Sequence, residues 1–504
     1  MRDSTYKRVK EYLVQRGYPA VPDETYDHID EWLEWYQNDV EKFHHYKLYN
    51  GAVTTKQERY KLGMAKTACE DWANLLLNEK VSIKAGKYSE RLSEILRYNN
   101  FSKQGNRLIE KAFALGTGAF VEYLNADGKV IIDYIRADMI YPLSWDNGDI
   151  TECAFGTAKM LNGKEVIYLQ MHRFGKVDDG ENSDQYYIEN VYIDAKSGKE
   201  IETPEDIEEL VFTKSAEPLF QIITPNICNN IDLDSPLGVS VYANGIDEVK
   251  GCDLIYDSYM NEFVLGRKRI MVPISQARVQ MEKDGAVNPT FDPNDTVYYL
   301  LPEDRNGNNQ LTEVDMTIRA QEHELGIQKS LDLLSLKVGM GAGRYRYDSG
   351  GVKTATEVIS DKSDLYQNRQ KHCIVIADVI INMVRAVSFL DTGGAIDATV
   401  DFDDSIIEDS NSLIDKNVKL VNAGLRSKLT AIMEINKCSE QEAKEELERI
   451  RQDNQITGQD IDWTGGDDDE LDEEDDSPEE KEGEENQEPD DSKSGKAPDP
   501  GDKE

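Results

Sequence analysis

Apolar residues at the start of the chain recur at helical spacing. Residues 1–22 predict a short helix closed by Gly17 and Pro19. Over 24–48, Tyr26, Ile29, Trp32, Leu33, Tyr36, Val40 and Phe43 fall on one face, which predicts a second helix. A helix is expected over 59–80 through Leu62, Ala65, Cys69, Trp72, Leu75 and Leu76. Another is expected over 88–115 through Leu92, Ile95, Leu96, Phe101, Leu108 and Phe113. The period then falls to two. Phe120–Leu124 and Val130–Ile135, separated by Asn125-Ala126-Asp127-Gly128, predict a β-hairpin. Further strands are expected at Ile140–Leu143, Cys153–Ala158, Val166–His172 and Tyr186–Tyr192, so the stretch to about 225 reads as α+β with antiparallel strands.

Ser235 as an N-cap and Pro236 at the first helical position predict a helix start, because the earliest N–H groups have no helical partner. That helix would run from 235 to 266 through Ile246, Val249, Cys252, Tyr256, Tyr259, Met260 and Phe263, loosened by Gly245 and Gly251. Residues 268–317 change character. Ile270–Val272 and Val297–Leu301 are short strand patterns among Gly285, Pro289, Pro293 and Arg305-Asn306-Gly307, so a small loop-rich insertion is expected. A second helix, 318–338, follows through Ile318, Leu325, Leu331, Leu334 and Val338. Next comes GMGAGRYRYDSGGVK, 339–353, with five glycines and the cations Arg344, Arg346 and Lys353; a mobile loop is expected. Thr354-Ala355-Thr356-Glu357 has capping-box spacing. From there to Asp391 no glycine or proline occurs, which predicts a helix about 57 Å long at about 1.5 Å per residue. Ile396, Ala398, Val400 and Phe402 alternate with Asp397, Thr399, Asp401 and Asp403 as in a half-buried strand. Helices at about 411–423, 427–437 and 440–452 follow, the last capped by Ser439 and Glu442.

Charge alters this picture. Asp plus Glu number 98 against 57 Lys plus Arg, a net of -41 over 504 residues. From Asp460 to Glu504 there are 22 acidic and 4 basic residues, a net of -18, and disorder is expected there. The other 459 residues carry 76 acidic and 53 basic, a net of -23. Such a body is ill suited to gripping DNA by displacing counterions from phosphate, although DNA passing by is compatible with it. The cysteines at 69, 153, 228, 252, 373 and 438 have no CxxC spacing and predict buried thiols of a reducing compartment. The N-terminus, MRDSTYKRVKEYL, lacks the apolar core of a signal peptide. The most apolar run, Ile374–Val387, is interrupted by Asp378, Asn382 and Arg385 and reads as too short and too charged to span a bilayer, so no membrane is expected.

Candidate chemistry is sparse. Gly-Lys occurs at 86, 128, 163, 175, 198 and 495 and never precedes Ser or Thr, so there is no phosphate-cradling loop. Gly116-Thr117-Gly118 follows a helix and precedes a strand, the reverse of a dinucleotide fingerprint, and reads as a turn. His323-Glu324 lacks a second zinc-binding histidine, and His28, His44, His45, His172, His323 and His372 are scattered. One enzymatic reading exists: Asp232 and Asp234, with Asp401, Asp403 and Asp404, could hold two metals for nuclease chemistry. The simpler reading puts Asp401 and Asp403 on the polar face of a strand and Asp234 beside a helix start, where anions suit the dipole. No catalytic residue, metal or cofactor is therefore expected.

The order of elements is more informative than any motif: an α+β body, a helix, a small insertion, a second helix, a glycine-rich loop, a very long helix, one strand, a helical end and an acidic tail. The segments SPLGVSVYANGIDEVKGCDLIYDSYMNEF (235–263), YRYDSGGVKTATEVISDKSDLYQNRQ (345–370), IDATVDFDDSIIEDSNSLI (396–414) and GLRSKLTAIMEIN (424–436) stand in that order. Over about residues 25–455 the chain resembles the portal proteins of tailed double-stranded DNA phages, of the type common in phages of Gram-positive hosts. The resemblance implies an α+β portal-type fold without catalysis. Its parts would be an N-terminal segment 1–23, a wing 24–242, a stem helix 243–267, a clip 268–317, a second stem helix 318–338, a tunnel loop 339–353, a long helix 354–391 spanning wing to channel, a wing strand 392–410, a helical crown 411–455 and a disordered tail 456–504.

The resemblance also implies a homo-oligomeric ring of about twelve subunits. It would assemble in the host cytoplasm and sit at one capsid vertex of the virion, where double-stranded DNA in transit is packaged and later ejected. Implied partners are the terminase large subunit, the head–tail connector or adaptor, and the major capsid and scaffolding proteins. Arg344, Arg346 and Lys353 become the candidate channel-facing cations of the tunnel loop. Arg267, Lys268 and Arg269 form a second basic cluster at the stem–clip junction, with intersubunit pairing to Asp257 or Glu262 as its other use. Acidic walls repel phosphate, while a few cations can touch and release it. A scaffold or adaptor protein is the other non-enzymatic reading, suggested by the acidic tail and helical end; the long α+β region counts against it.

Overall fold

A computed structural model describes residues 2–49, 53–176, 184–205, 207–266, 269–273, 279–281, 287–289, 298–301, 312–314, 317–346, 355–402, 410–436 and 440–457. The chain forms two compact units, Met1–Ile407 and Glu408–Glu504.

The first unit opens with α1 (Arg2–Gln15), α2 (Asp23–Tyr36) and the single turn α3 (Glu41–His44). Tyr26, Ile29, Trp32 and Leu33 are the buried stripe of α2, as their spacing predicts. The helix expected to reach residue 48 ends at Tyr36, because Asn38 takes φ 57°, a left-handed conformation that asparagine tolerates better than most residues. An antiparallel hairpin of β1 (His45–Tyr49) and β2 (Thr54–Glu58) stands in its place. The helix expected over 59–80 is the shorter α4 (Met64–Leu76), followed by β3 (Ser82–Lys84). The helix expected over 88–115 is two, α5 (Ser89–Tyr98) and α6 (Phe101–Leu115), divided at Asn100 with φ 51°.

Two antiparallel sheets follow. The hairpin β4 (Gly118–Leu124) and β5 (Val130–Arg136) closes with Leu124 opposite Val130, as expected. A meander then runs through β6 (Ile140–Asp146), β7 (Asp149–Leu161), β8 (Lys164–Lys176) and β9 (Asp184–Asp194), with β10 (Glu200–Ile201) and β11 (Leu210–Phe212) both paired to β9. β12 (Phe220–Ile223) returns to pair with β4.

The helix expected from Ser235 begins instead with α7 (Ile246–Leu265). Residues 235–242 are committed to the C-terminal end of α6, whose last carbonyls have no helical partner. Val241 N–H donates to Phe113 O at 3.0 Å, and Gly238 N–H donates to Thr117 Oγ1 at 3.0 Å. A Cβ on Gly238 would lie 2.3 Å from Gly116 O, so the two backbones can meet only at glycine. Between α7 and the next helix lie β13 (Arg269–Pro273), β14 (Val279–Met281), β15 (Val287–Pro289), β16 (Tyr298–Leu301) and β17 (Thr312–Val314). β13 is central, parallel to β16 and antiparallel to β17, while β14 and β15 form a hairpin.

α8 (Ala320–Lys337) packs against α7. Neighbours along the pair are Gly245 with Lys337, Gly251 with Ser330, Gly326 with Ile255, and Glu262 with Arg319, so the helices run antiparallel. α9 (Ala355–Thr392) is the expected 38-residue helix. Its Ser363–Thr392 stretch is long and apolar enough to cross a membrane, beyond the shorter run expected, but half of that window is buried in this unit. Ile376, Ile380, Met383, Val384 and Val387 enter the core with α4, β4 and β12. β18 (Thr399–Asp401), the short remnant of the expected strand at 396–403, pairs with β3.

The second unit contains α10 (Ser410–Asn422), α11 (Lys428–Asn436) and α12 (Glu440–Thr457). The caps expected at Thr354 and Ser439, Cys438, and the tail beyond 457 lie outside the described residues. Cys69, Cys153, Cys252 and Cys373 are buried thiols as expected, whereas Cys228 is exposed.

Candidate functional site

The segment after α8 is where the sequence placed its cations, and the structure shows it held at almost every residue described. Trp72, wholly buried on α4, donates its Nε1–H to Val338 O at 2.9 Å. Asn368 of α9 donates to Gly339 O at 2.9 Å, and Ser335 of α8 donates its hydroxyl to Gly341 O at 2.5 Å. Met340 is buried between them. Gly339, Gly341 and Gly343 all have φ between 77° and 79°. The alternation of glycine with other residues shapes the path of 339–343, because only glycine takes this conformation without strain; residues 347–353 of the loop expected to be mobile lie outside the described residues.

Arg344 and Arg346 leave this path on either side of Tyr345. Arg344 Nε lies 3.3 Å from Asp71 Oδ2, and Arg346 Nε lies 3.7 Å from Asp332 Oδ1. Their side chains stay 38% and 47% exposed, so each cation has an in-chain partner and an open side. Tyr345 turns inward, and burial raises its hydroxyl pKa above the usual tyrosine value. Its carbonyl accepts from Gln328 of α8 at 3.3 Å. Lys353, the third expected cation, lies outside the described residues. Just behind the segment, buried Arg369 donates Nε–H to Leu75 O at 2.9 Å, a carbonyl in the last turn of α4. His372 accepts Asn226 N–H on Nδ1 at 3.0 Å, and burial lowers its pKa to about 4, so it stays neutral.

A second polar lock ties α7 to the residues that flank the β1–β2 hairpin on both sides. His44 and Asp253 are both fully buried, with Nε2 and Oδ2 3.1 Å apart. Val40 N–H donates to His44 Nδ1 at 2.8 Å, which leaves the Nε2 hydrogen for Asp253. Asp253 also accepts Leu62 N–H at 2.7 Å, and Asp257, one turn on, accepts Tyr60 N–H at 3.0 Å with Arg59 at 3.6 Å. At the far end of α7, Glu262 takes Arg319 Nε–H at 2.9 Å, with His323 at 3.4 Å. Asp257 and Glu262, the acids considered for a neighbouring subunit, thus already have partners within the chain. Of the basic cluster considered with them, Arg269 opens β13 opposite Val314, while Arg267 and Lys268 lie outside the described residues.

Among the described residues, Asp232, Asp234 and Asp401 form no group with metal-ligand spacing. Asp232 stabilises its own turn by accepting Asp234 N–H at 3.2 Å. Asp401 is 3.2 Å from Lys84 Nζ on the neighbouring strand. Asp403 and Asp404 lie outside the described residues. Among the described residues, the group with metal-ligand spacing is Asp39, His45 and Glu58. Lys61 already lies 2.7 Å from Asp39 and 3.0 Å from Glu58, so a cation of the chain itself bridges the two carboxylates of that group. Asp71, Asp332, Trp72, Asn368, His44 and Asp253 carry no sequence motif. Their roles come from contacts between residues far apart in the chain.

The family model described as phage portal protein, SPP1 Gp6-like, matches residues 18–459. No curated protein matches the chain. A chain in a solved assembly, the neck of a native GTA particle computed with C12 symmetry, is similar to it at 10% identity and a TM-score of 0.34. That likeness covers 74% of this chain and 89% of the other.

Proposed function

The chain belongs to the SPP1 Gp6-like family of phage portal proteins, and from that premise we propose that it forms the ring at one capsid vertex through which double-stranded DNA enters and leaves. The observation that carries the reading is the antiparallel α7–α8 pair, with a strand-rich insertion at its far end and a pinned, cation-bearing segment at its near end. In this reading α7 and α8 are the stem within 243–267 and 318–338, and residues 268–317 are the clip that docks the terminase motor and then the head–tail connector. Residues 24–242 and 392–410 form the wing, α9 joins wing to channel, and 411–455 form the crown. About a dozen copies close the ring.

Residues 339–353 are the tunnel loop in this reading, with Arg344, Arg346 and Lys353 toward the DNA. A conduit must touch phosphate without keeping it. Arg344 and Arg346 suit that task because each is already paired with an aspartate. A passing phosphate competes with a carboxylate that recaptures the cation, and the acidic body opposes lasting attachment. The role assigned is structural and conductive, without catalysis. Negative-stain images or native mass spectra of the purified chain should show closed rings with a central hole. A stable monomer in physiological salt, together with no ring in assembled particles, would overturn the reading.

A further inference from the structure

In the second unit, α10, α11 and α12 enclose a groove of about 240 Å³. Val421, Ile432, Ile435, Leu447 and Ile450 give it an apolar lining, and Lys428 and Arg451 stand at its walls. The space is below the roughly 300–1,000 Å³ of sites for drug-sized ligands and suits one or two side chains. The chain supplies a matching segment just beyond α12. In the 47 residues after Thr457, the large apolar side chains are Ile461, Trp463 and Leu471, all within eleven positions. Six carboxylates accompany them between Asp460 and Leu471.

We propose that the segment Asp460–Leu471 docks in the groove of its own chain, with Trp463 seated among Ile432, Ile435, Leu447 and Ile450 and the flanking carboxylates facing Lys428 and Arg451. The reach is sufficient. Trp463 is six residues past Thr457, a span of up to about 20 Å when extended. Leu447 lies ten residues back along α12, about 15 Å at helical rise. A reversal directly after α12 therefore brings the indole over the groove. The charges agree, because the cations at the groove meet the most acidic part of the chain. Burial of Ile461 and Trp463 takes two of the three large apolar side chains of this acidic segment out of water. The inference does not depend on the ring.

Hydrogen exchange followed by mass spectrometry on the full chain tests it. Trp463→Ala should speed exchange of amides in 431–436 and 445–451 by about tenfold, while Trp463→Phe should retain protection. A Lys428→Glu, Arg451→Glu double variant should lose protection as Trp463→Ala does, and so should the wild type in high salt. Trp463 lies beyond Thr457, where α12 ends, and Lys428 and Arg451 are exposed, so far-ultraviolet circular dichroism of each variant should match the wild type and separates a docking effect from misfolding. Unchanged exchange in Trp463→Ala overturns the proposal. A photo-crosslinker at position 463, in a mixture of isotopically light and heavy chains, separates the remaining cases. Links within one chain support it; links between chains overturn the same-chain assignment.

Discussion

Replacing Glu122 by Gln should stabilise the protein, and by more as the pH rises. Glu122 lies on β4 with its side chain fully buried. Among the described residues neither carboxyl oxygen accepts a hydrogen bond of ordinary geometry. Gln221 on the adjoining β12 lies close enough to favour the ionised form, but its own Oε1 is equally unsatisfied. Burial therefore dominates and pushes the Glu122 pKa well above the usual 4.5. The unfolded chain releases this proton near the ordinary value, whereas the folded chain keeps it to higher pH. Between the two values the folded state holds the extra proton, so stability falls as pH rises, by up to about 1.4 kcal/mol per pH unit. Above the folded value the penalty is constant. Glutamine keeps the shape and has no proton to lose, so that slope should vanish. Thermal melts of both proteins from pH 5 to pH 8 should start nearly together. They should then separate by roughly 2 °C for each kcal/mol withheld from the wild type. Parallel curves, or a variant less stable by a constant amount, would refute the claim that this carboxyl is desolvated and neutral in the fold.

Three further outcomes are expected. Asp253→Ala leaves His44 Nε2 and Leu62 N–H buried without their acceptor, and should cost about 3–5 kcal/mol in chemical denaturation, with faster amide exchange in the β1–β2 hairpin. Trp72→Phe removes the hydrogen bond to Val338 O and should cost about 1–3 kcal/mol, read by denaturation, with exchange rising locally over 338–346. Arg344→Ala, Arg346→Ala and Lys353→Ala together should leave ring assembly intact, since surface pairs contribute at most about 1 kcal/mol each, while changing the length or retention of packaged DNA. Unchanged particle yield and DNA length would count against the channel role.

Much of the fold was legible because local physics dictates it. The stripe of α2, the β4–β5 hairpin and the unbroken α9 are written as spacing, turn chemistry and the absence of helix breakers. The errors have local causes too. Asn38 and Asn100 end helices from within an apolar stripe that runs straight through them. The β1–β2 hairpin escaped because its strands are exposed and carry no alternating apolar face. Asn147-Gly148 and Asn162-Gly163, by contrast, are readable hairpin turns that mark the β6–β7 and β7–β8 connections. At Ser235 the capping rule lost to tertiary structure, since the segment is spent on the end of α6. The candidate site was half legible. Arg344 and Arg346 stand out in a glycine-rich stretch, but the pairing of Arg344 with Asp71 joins residues 273 positions apart, which no local pattern encodes.

The unbroken α9 also limits how this protein can change over evolutionary time. Arg369, His372 and the apolar residues from Ile376 to Val387 reach different neighbours from one continuous helix. Adding or deleting a single residue between them would rotate everything beyond it by about 100°. No glycine or proline interrupts the helix to absorb the twist. Its side chains can be exchanged one at a time, but its length is locked, and homologues should vary in loop length on either side of α9 while counting the same number of residues within it.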